Sequence, residues 1–284
     1  MLVPTMTPEE IYAEMYKDSA WLQDRIADKI YPSIQKMIKR RSLFPFFHVT
    51  SVKSAKTHIE YCVAFFAYSR GDWNRPYCVI YTKYTHESGK TLVYIEHNRF
   101  AIRIYTPHFM QRFKERQNEY VSDNETLANI DLELLFIARN WEVKEMDLLK
   151  SFAEESQNQK LSQKLEEVSS WSKFKQDSDY ERYTVACLLG MCLCERNKKH
   201  PDISIFDTFV TPDLFKFNQW IDFIPAYSHV VLNTLTRVYP RQKEYIVKEW
   251  NNSINECPDD GDPLKYMLDK VDELMSRYPV PQLF

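Results

Sequence analysis

His108, Arg112 and Arg116 recur every fourth residue in the segment HFMQRFKERQNEY. On a helix that spacing places them in one stripe about 80° wide. Phe109, Phe113 and Tyr120 form a neighbouring apolar stripe about 40° wide. Such a helix packs by its aromatic side and carries two guanidiniums and an imidazole along the border. Thr106-Pro107 supplies a hydroxyl cap and a proline at the first turn. The first-turn N–H groups and the helix dipole favour an anion there, and guanidinium matches phosphate geometry.

The residues just before this helix extend the set. In a strand ending Arg103-Ile104-Tyr105, Arg103 and Tyr105 share one face, and Ile102 and Ile104 share the other. Tyr94 and Glu96 on the preceding strand join the polar face. Cations, tyrosines, an imidazole and a carboxylate suit two chemistries. One is the binding of single-stranded nucleic acid, with rings stacking on bases beside a cationic track. The other is metal-independent RNA cleavage, with His108 and Glu96 as the acid–base candidates. A bland reading competes with both. Half-exposed sheet faces carry Tyr, Arg and Glu as cross-strand pairs, and Arg stems cover apolar surface at helix borders.

Composition narrows the field. The 284 residues are 44% hydrophobic and 27% charged, as in ordinary globular proteins, with 18 Tyr and 17 Phe to fill a core. The four glycines (Gly71, Gly89, Gly190 and Gly261) never lie within ten residues of one another. Glycine-loop nucleotide binding needs two or three close together, so no cofactor is expected. The longest apolar run, Tyr183 to Cys194, is too short for the roughly 20 residues a bilayer span requires. Without a leader-like N-terminus, the six cysteines read as reduced thiols and the expected location is cytoplasmic.

Charge is uneven. Residues 43–120 hold 11 Lys and Arg against 6 Asp and Glu, and five of the seven histidines. Residues 121–284 hold 19 against 28. The basic part predicts an anionic partner, RNA or single-stranded DNA. Attraction between the two parts is the simpler alternative. The acidic part suggests a second hypothesis, a non-enzymatic interaction protein binding a protein partner through its helices. A ribonuclease is the third, so whether the chain is an enzyme stays open at this level.

The elements that must position these residues follow from periodicity. Thr7-Pro8-Glu9-Glu10 starts a helix, and Pro32 kinks or ends it. A further helical stretch runs to the basic cluster Lys39-Arg40-Arg41. Phe46–Val52 and Thr57–Tyr68 read as strands, or as a strand with a short helix. Tyr77–Tyr84, Thr91–Glu96 and Arg99–Tyr105 are joined by loops too short for a parallel crossover, so they form an antiparallel meander. From Val121 onward the composition reads as helical, including Leu127–Ile137, Trp141–Ser169, Glu181–Arg196 and several helices after Leu214. Cys187, Cys192 and Cys194 then fall on a central helix as buried thiols, without the spacing of a zinc site. The expected fold is α+β: N-terminal helices, a small antiparallel meander packed on helices, then a mostly α-helical C-terminal region. Residues 1–120 and 121–284 are expected to pack as one compact unit, with Arg103, Tyr105, His108, Arg112 and Arg116 as the nucleic-acid-binding set and no metal site.

Overall fold

A computed structural model describes residues 1–96, 100–121, 143–145, 180–215, 217–256 and 262–280. Its centre is one nine-stranded sheet in the order β1-β2-β3-β4-β5-β9-β8-β7-β6. The strands are β1 Phe46–Lys53, β2 Glu60–Ala67, β3 Tyr77–His86, β4 Gly89–Glu96 and β5 Ala101–Tyr105, then β6 Val143–Glu145, β7 Tyr180–Cys187, β8 Gly190–Asn197 and β9 His200–Val210. Neighbours are antiparallel except at the centre, where β5 and β9 run parallel, Ile102 opposite Ile203 and Tyr105 opposite Phe206. The molecule is therefore two meanders joined along a parallel seam.

The expected antiparallel meander is present as β3–β5, but it is one third of a much larger sheet. The mostly helical C-terminal region is corrected as well. Glu181–Arg196 is the hairpin β7–β8 and not a helix, and β6 lies inside the span read as the Trp141–Ser169 helix. Cys187, Cys192 and Cys194 sit on those strands. The reason lies in burial. Val185, Cys187, Cys192 and Cys194 face one core, while Ala186 and Met191 face another. A hairpin buried on both faces has no alternation, and an unbroken apolar run reads equally well as a buried helix. The expected helix Leu127–Ile137 and the remainder of Trp141–Ser169 lie outside the described residues.

Helices cover both faces. Helices α1 (Pro8–Tyr16), α2 (Ser19–Arg25) and α3 (Tyr31–Arg40) pack over Val63, Val93, Ile102, Ile104 and Ile203. A π-helical turn, Ile26–Ile30, links α2 to α3. It stands where Pro32 withholds an N–H and crowds the carbonyl four residues back. Helix α4 (Pro107–Val121) lies on the opposite face, with Phe109 and Phe113 fully buried against Tyr105, Phe206 and Phe209. Helix α5 (Phe217–Val238) follows β9 and returns to the face that α4 does not cover, placing Phe223, Ala226 and Val230 on Ala186 and Met191. Each meander thus ends in a central strand and then a helix, and the two helices take opposite faces. Helices α6 (Lys243–Asn255) and α7 (Pro263–Arg277) build a third core with α5 around Leu235, Trp250 and Met267. Among the described residues, no helix is long and apolar enough to cross a membrane.

Candidate nucleic-acid interface

Strand alternation sends Ile102 and Ile104 toward α1–α3, and Arg103 and Tyr105 toward the α4 side, as the sequence implies. That side is core rather than open surface at this point. Tyr105 is 2% exposed, its ring centroid 4.7 Å from Phe206 and 5.2 Å from Phe109. Arg103 Nε donates to Glu96 Oε1 at 2.7 Å, and its guanidinium lies 5.2 Å from the Tyr94 ring centroid. Burial opposes the charge on Arg103. Tyr105, Glu96 and Tyr94 more than offset that, holding its pKa above the ordinary value. Burial likewise lifts the Tyr105 phenol well above its usual range, against the pull of Arg103. Arg103, Glu96 and Tyr105 therefore form a half-sealed polar row on this side of the sheet, with Tyr105 against Phe109 at the start of α4. Glu96 is engaged by Arg103 rather than by His108.

The seam then sets the start of α4. The Thr106 N–H donates to the Phe206 carbonyl at 3.1 Å, continuing the β5–β9 ladder by one residue. The Thr106 hydroxyl accepts from the Phe109 N–H at 3.1 Å and donates to the Asp207 carbonyl at 3.3 Å. This is a side-chain N-cap tied directly to β9. The β3–β4 turn leans on the same corner: a Cβ at Gly89 would lie 3.2 Å from Pro107 Cβ. Lys90, on the α4 side of β4 by alternation with Leu92, and His108 are both exposed here.

Arg112, one turn further on, is exposed and donates to Glu115 Oε2 at 3.0 Å. Gln111 also donates to Glu115, and this hydrogen bond followed by the Arg112 charge keeps that carboxyl below its usual range. Arg116 is half-buried on the next turn. The expected stripe thus exists geometrically, but only His108 and Arg112 present it to solvent. Tyr120, on the last turn, lies outside the described side chains.

The expected site set includes neither of two further features. Asp207 sits at a β-bulge, where Phe206 pairs with Cys194 and Thr208 with Leu193, leaving it between ladder positions. Burial first, then the negative charge of Glu195, pushes its carboxyl up to about 6, against Arg182 and His108. Arg182 Nε in turn donates to Glu195 Oε1 at 2.8 Å. The charge of His108, far from Asp207 in sequence, is thus among those that act on this carboxyl. The second feature is a corner at the other end of β3. A 3-10 turn, Arg70–Asn74, packs on the end of α3, with Lys39 Nζ 3.4 Å above the Trp73 ring.

Cys187 Sγ lies 4.0 Å from Cys192 Sγ inside the core, and burial raises the Cys192 thiol well above its usual range. Among the described residues no group of three or more His, Cys, Asp or Glu is arranged to hold a metal ion. No protein-family model, curated protein or solved structure matches this chain.

Proposed function

We propose that this chain is a nucleic-acid-associated protein that holds RNA or single-stranded DNA at the start of α4. The observation that carries the reading is that His108 and Arg112, in the first two turns of a capped helix, and Lys90, next to the Gly89 that leans on Pro107, are all exposed. Lys90, an Arg112 shared with Glu115, the His108 imidazole and the positive end of a 15-residue helix lie around this corner. Tyr105 backs the start of α4 and Arg103 pairs with Glu96, and neither contacts the ligand itself. The test is fluorescence anisotropy with a labelled single-stranded oligonucleotide in low salt. Wild type is expected to bind, and the affinity to fall with added salt as counterion release becomes less favourable. The double variant His108→Ala, Arg112→Ala is expected to lose about tenfold or more. Absence of wild-type binding in low salt ends this reading.

A second reading, metal-independent RNA cleavage, draws on the charge interaction between Asp207 and His108. One group would take the 2′-hydroxyl proton as that oxygen attacks phosphorus, and the other would protonate the departing 5′-oxygen, leaving a 2′,3′-cyclic phosphate. Under this reading His108→Ala and Asp207→Asn each abolish cleavage while the circular dichroism spectrum is unchanged. Cleavage persisting in either variant excludes it.

A further inference from the structure

The sequence from Lys29 to Ile59 contains no Asp or Glu at all. The fold gathers part of this stretch with the 3-10 turn after β2 into a single exposed corner. Lys39, Arg40 and Arg41 end α3; Arg70, Trp73 and Arg75 come from the turn and its cap. All six are exposed. The corner is built rather than incidental. Arg70 donates to the Arg41 carbonyl at 2.9 Å, and the Tyr31 hydroxyl donates to the Asn74 carbonyl at 3.1 Å. Asp72, the acid within the turn, turns its Oδ2 inward to accept the Tyr68 and Ser69 N–H groups, both at 2.8 Å. Trp73 stands among five cations, 36% exposed, with the Lys39 ammonium over its ring.

We infer that this α3–turn corner is a second, separate contact site for single-stranded nucleic acid, with Trp73 as a base-stacking platform and Arg40, Arg41, Arg70 and Arg75 as phosphate contacts. A cationic track with an indole in its midst has the composition of single-strand binding, where stacking is sequence-tolerant and phosphates supply the charge. Paired bases keep their faces covered, so the indole adds nothing toward a duplex. An anionic bilayer is the competing occupant, and two facts disfavour it. The apolar face of α3 is spent on the core, with Ile34 and Ile38 buried, so no amphipathic face remains to enter a headgroup layer. The exposed apolar side chains nearby, Met37 at 39% and Leu43 at 74%, are two isolated groups. The corner also stands apart from α4. It adjoins the start of β3, while the β3–β4 turn beside Pro107 is at its other end, about 30 Å along a ten-residue strand.

The experiment uses the full chain with three probes: a labelled oligouridine 12-mer, a labelled RNA hairpin duplex, and vesicles of mixed phosphatidylglycerol and phosphatidylcholine. Arg40→Ala with Arg41→Ala is expected to weaken binding of both nucleic acids about tenfold in low salt. Trp73→Ala is expected to weaken the 12-mer about fivefold or more while leaving the duplex within about twofold. Both positions are exposed, so thermal melts should match wild type and guard against misfolding. Wild-type affinity for the 12-mer in the Arg40/Arg41 variant overturns the inference. So does equal loss of duplex and single strand in Trp73→Ala, or vesicle binding without oligonucleotide binding. The His108/Arg112 variant separates this site from the α4 reading: loss there alone leaves α4 standing and removes the corner, and loss in the corner variants alone does the reverse.

Discussion

Asp18 is 1% exposed and has no basic partner among the described residues, yet it is fully provided for. Ser54 Oγ donates to it at 2.7 Å, the Tyr61 hydroxyl at 2.9 Å, and the Thr57 hydroxyl completes the set. Burial, then the charge of Asp18, drives the Tyr61 phenol far above its normal range. These three donors pin the α1–α2 junction to the turn between β1 and β2. Replacing Asp18 with Ala strands three buried hydroxyls and is expected to cost about 2–4 kcal/mol, read by urea unfolding. A wild-type midpoint would show that the hydroxyls re-pair among themselves. Asp207 is the opposite case, a carboxyl that folding disfavours in its charged form. Its folded pKa of about 6 exceeds its ordinary 3.8, so the folded state binds the proton more tightly. The associated stability is present below about pH 4, falls between 4 and 6, and is absent above 6. Asp207→Asn should therefore stabilise the protein at pH 7 by on the order of 1 kcal/mol once screening at this half-exposed site is allowed for. Its melting temperature should also vary less than wild type across pH 4–6. A variant less stable than wild type at pH 7 would contradict this account.

At the scale of elements, the hairpin β7–β8 decides how much of the fold could be read in advance. Gly190 is its hidden marker. A Cβ there would lie 2.3 Å from the Val210 carbonyl oxygen and 3.1 Å from the Phe209 ring, so strand β9 can close on β8 only if no side chain intervenes. Gly190→Ala is expected to destabilise by about 1–3 kcal/mol, measured by thermal or urea denaturation. Neutral behaviour would mean that β8 and β9 are looser than described. Within YTVACLLGMCLC that glycine reads as one weak break in an apolar run, because each strand buries both its faces and shows no period of two. The β3–β5 meander was legible for the converse reason: its loops are short, and Tyr77–Tyr84 and Arg99–Tyr105 are rich in β-branched and aromatic residues. The caps Thr7-Pro8 and Thr106-Pro107 likewise named their helices from local chemistry alone. The candidate site was half legible. The spacing of His108 and Arg112 is local and survives in the structure. That Tyr105 is buried against α4 depends on Phe206, and the neighbourhood of Asp207 depends on a bulge, neither of which any window around residue 105 contains.

The whole molecule depends on the parallel seam. The backbone groups of Ile102–Tyr105 find one of their two neighbours in β4 and the other in Ile203–Phe206. A chain ending at Val121 would keep α1–α4 and five strands but would bare the β5 edge, together with the aromatic face of α4 that Phe206 and Phe209 cover. Such an edge recruits other chains, so residues 1–121 expressed alone should self-associate or precipitate, as seen by size-exclusion chromatography. A soluble, cooperatively melting monomer would show that the first meander is self-sufficient. The same seam governs the order of events during synthesis. Thr106 waits for a carbonyl 101 positions downstream, and closing so long a span delays the contacts that reward it. The nascent first meander must therefore leave the ribosome with its innermost strand still an outer edge. The interval before β9 arrives, rather than the finished fold, is when an unpaired β5 edge is open to pairing with another chain.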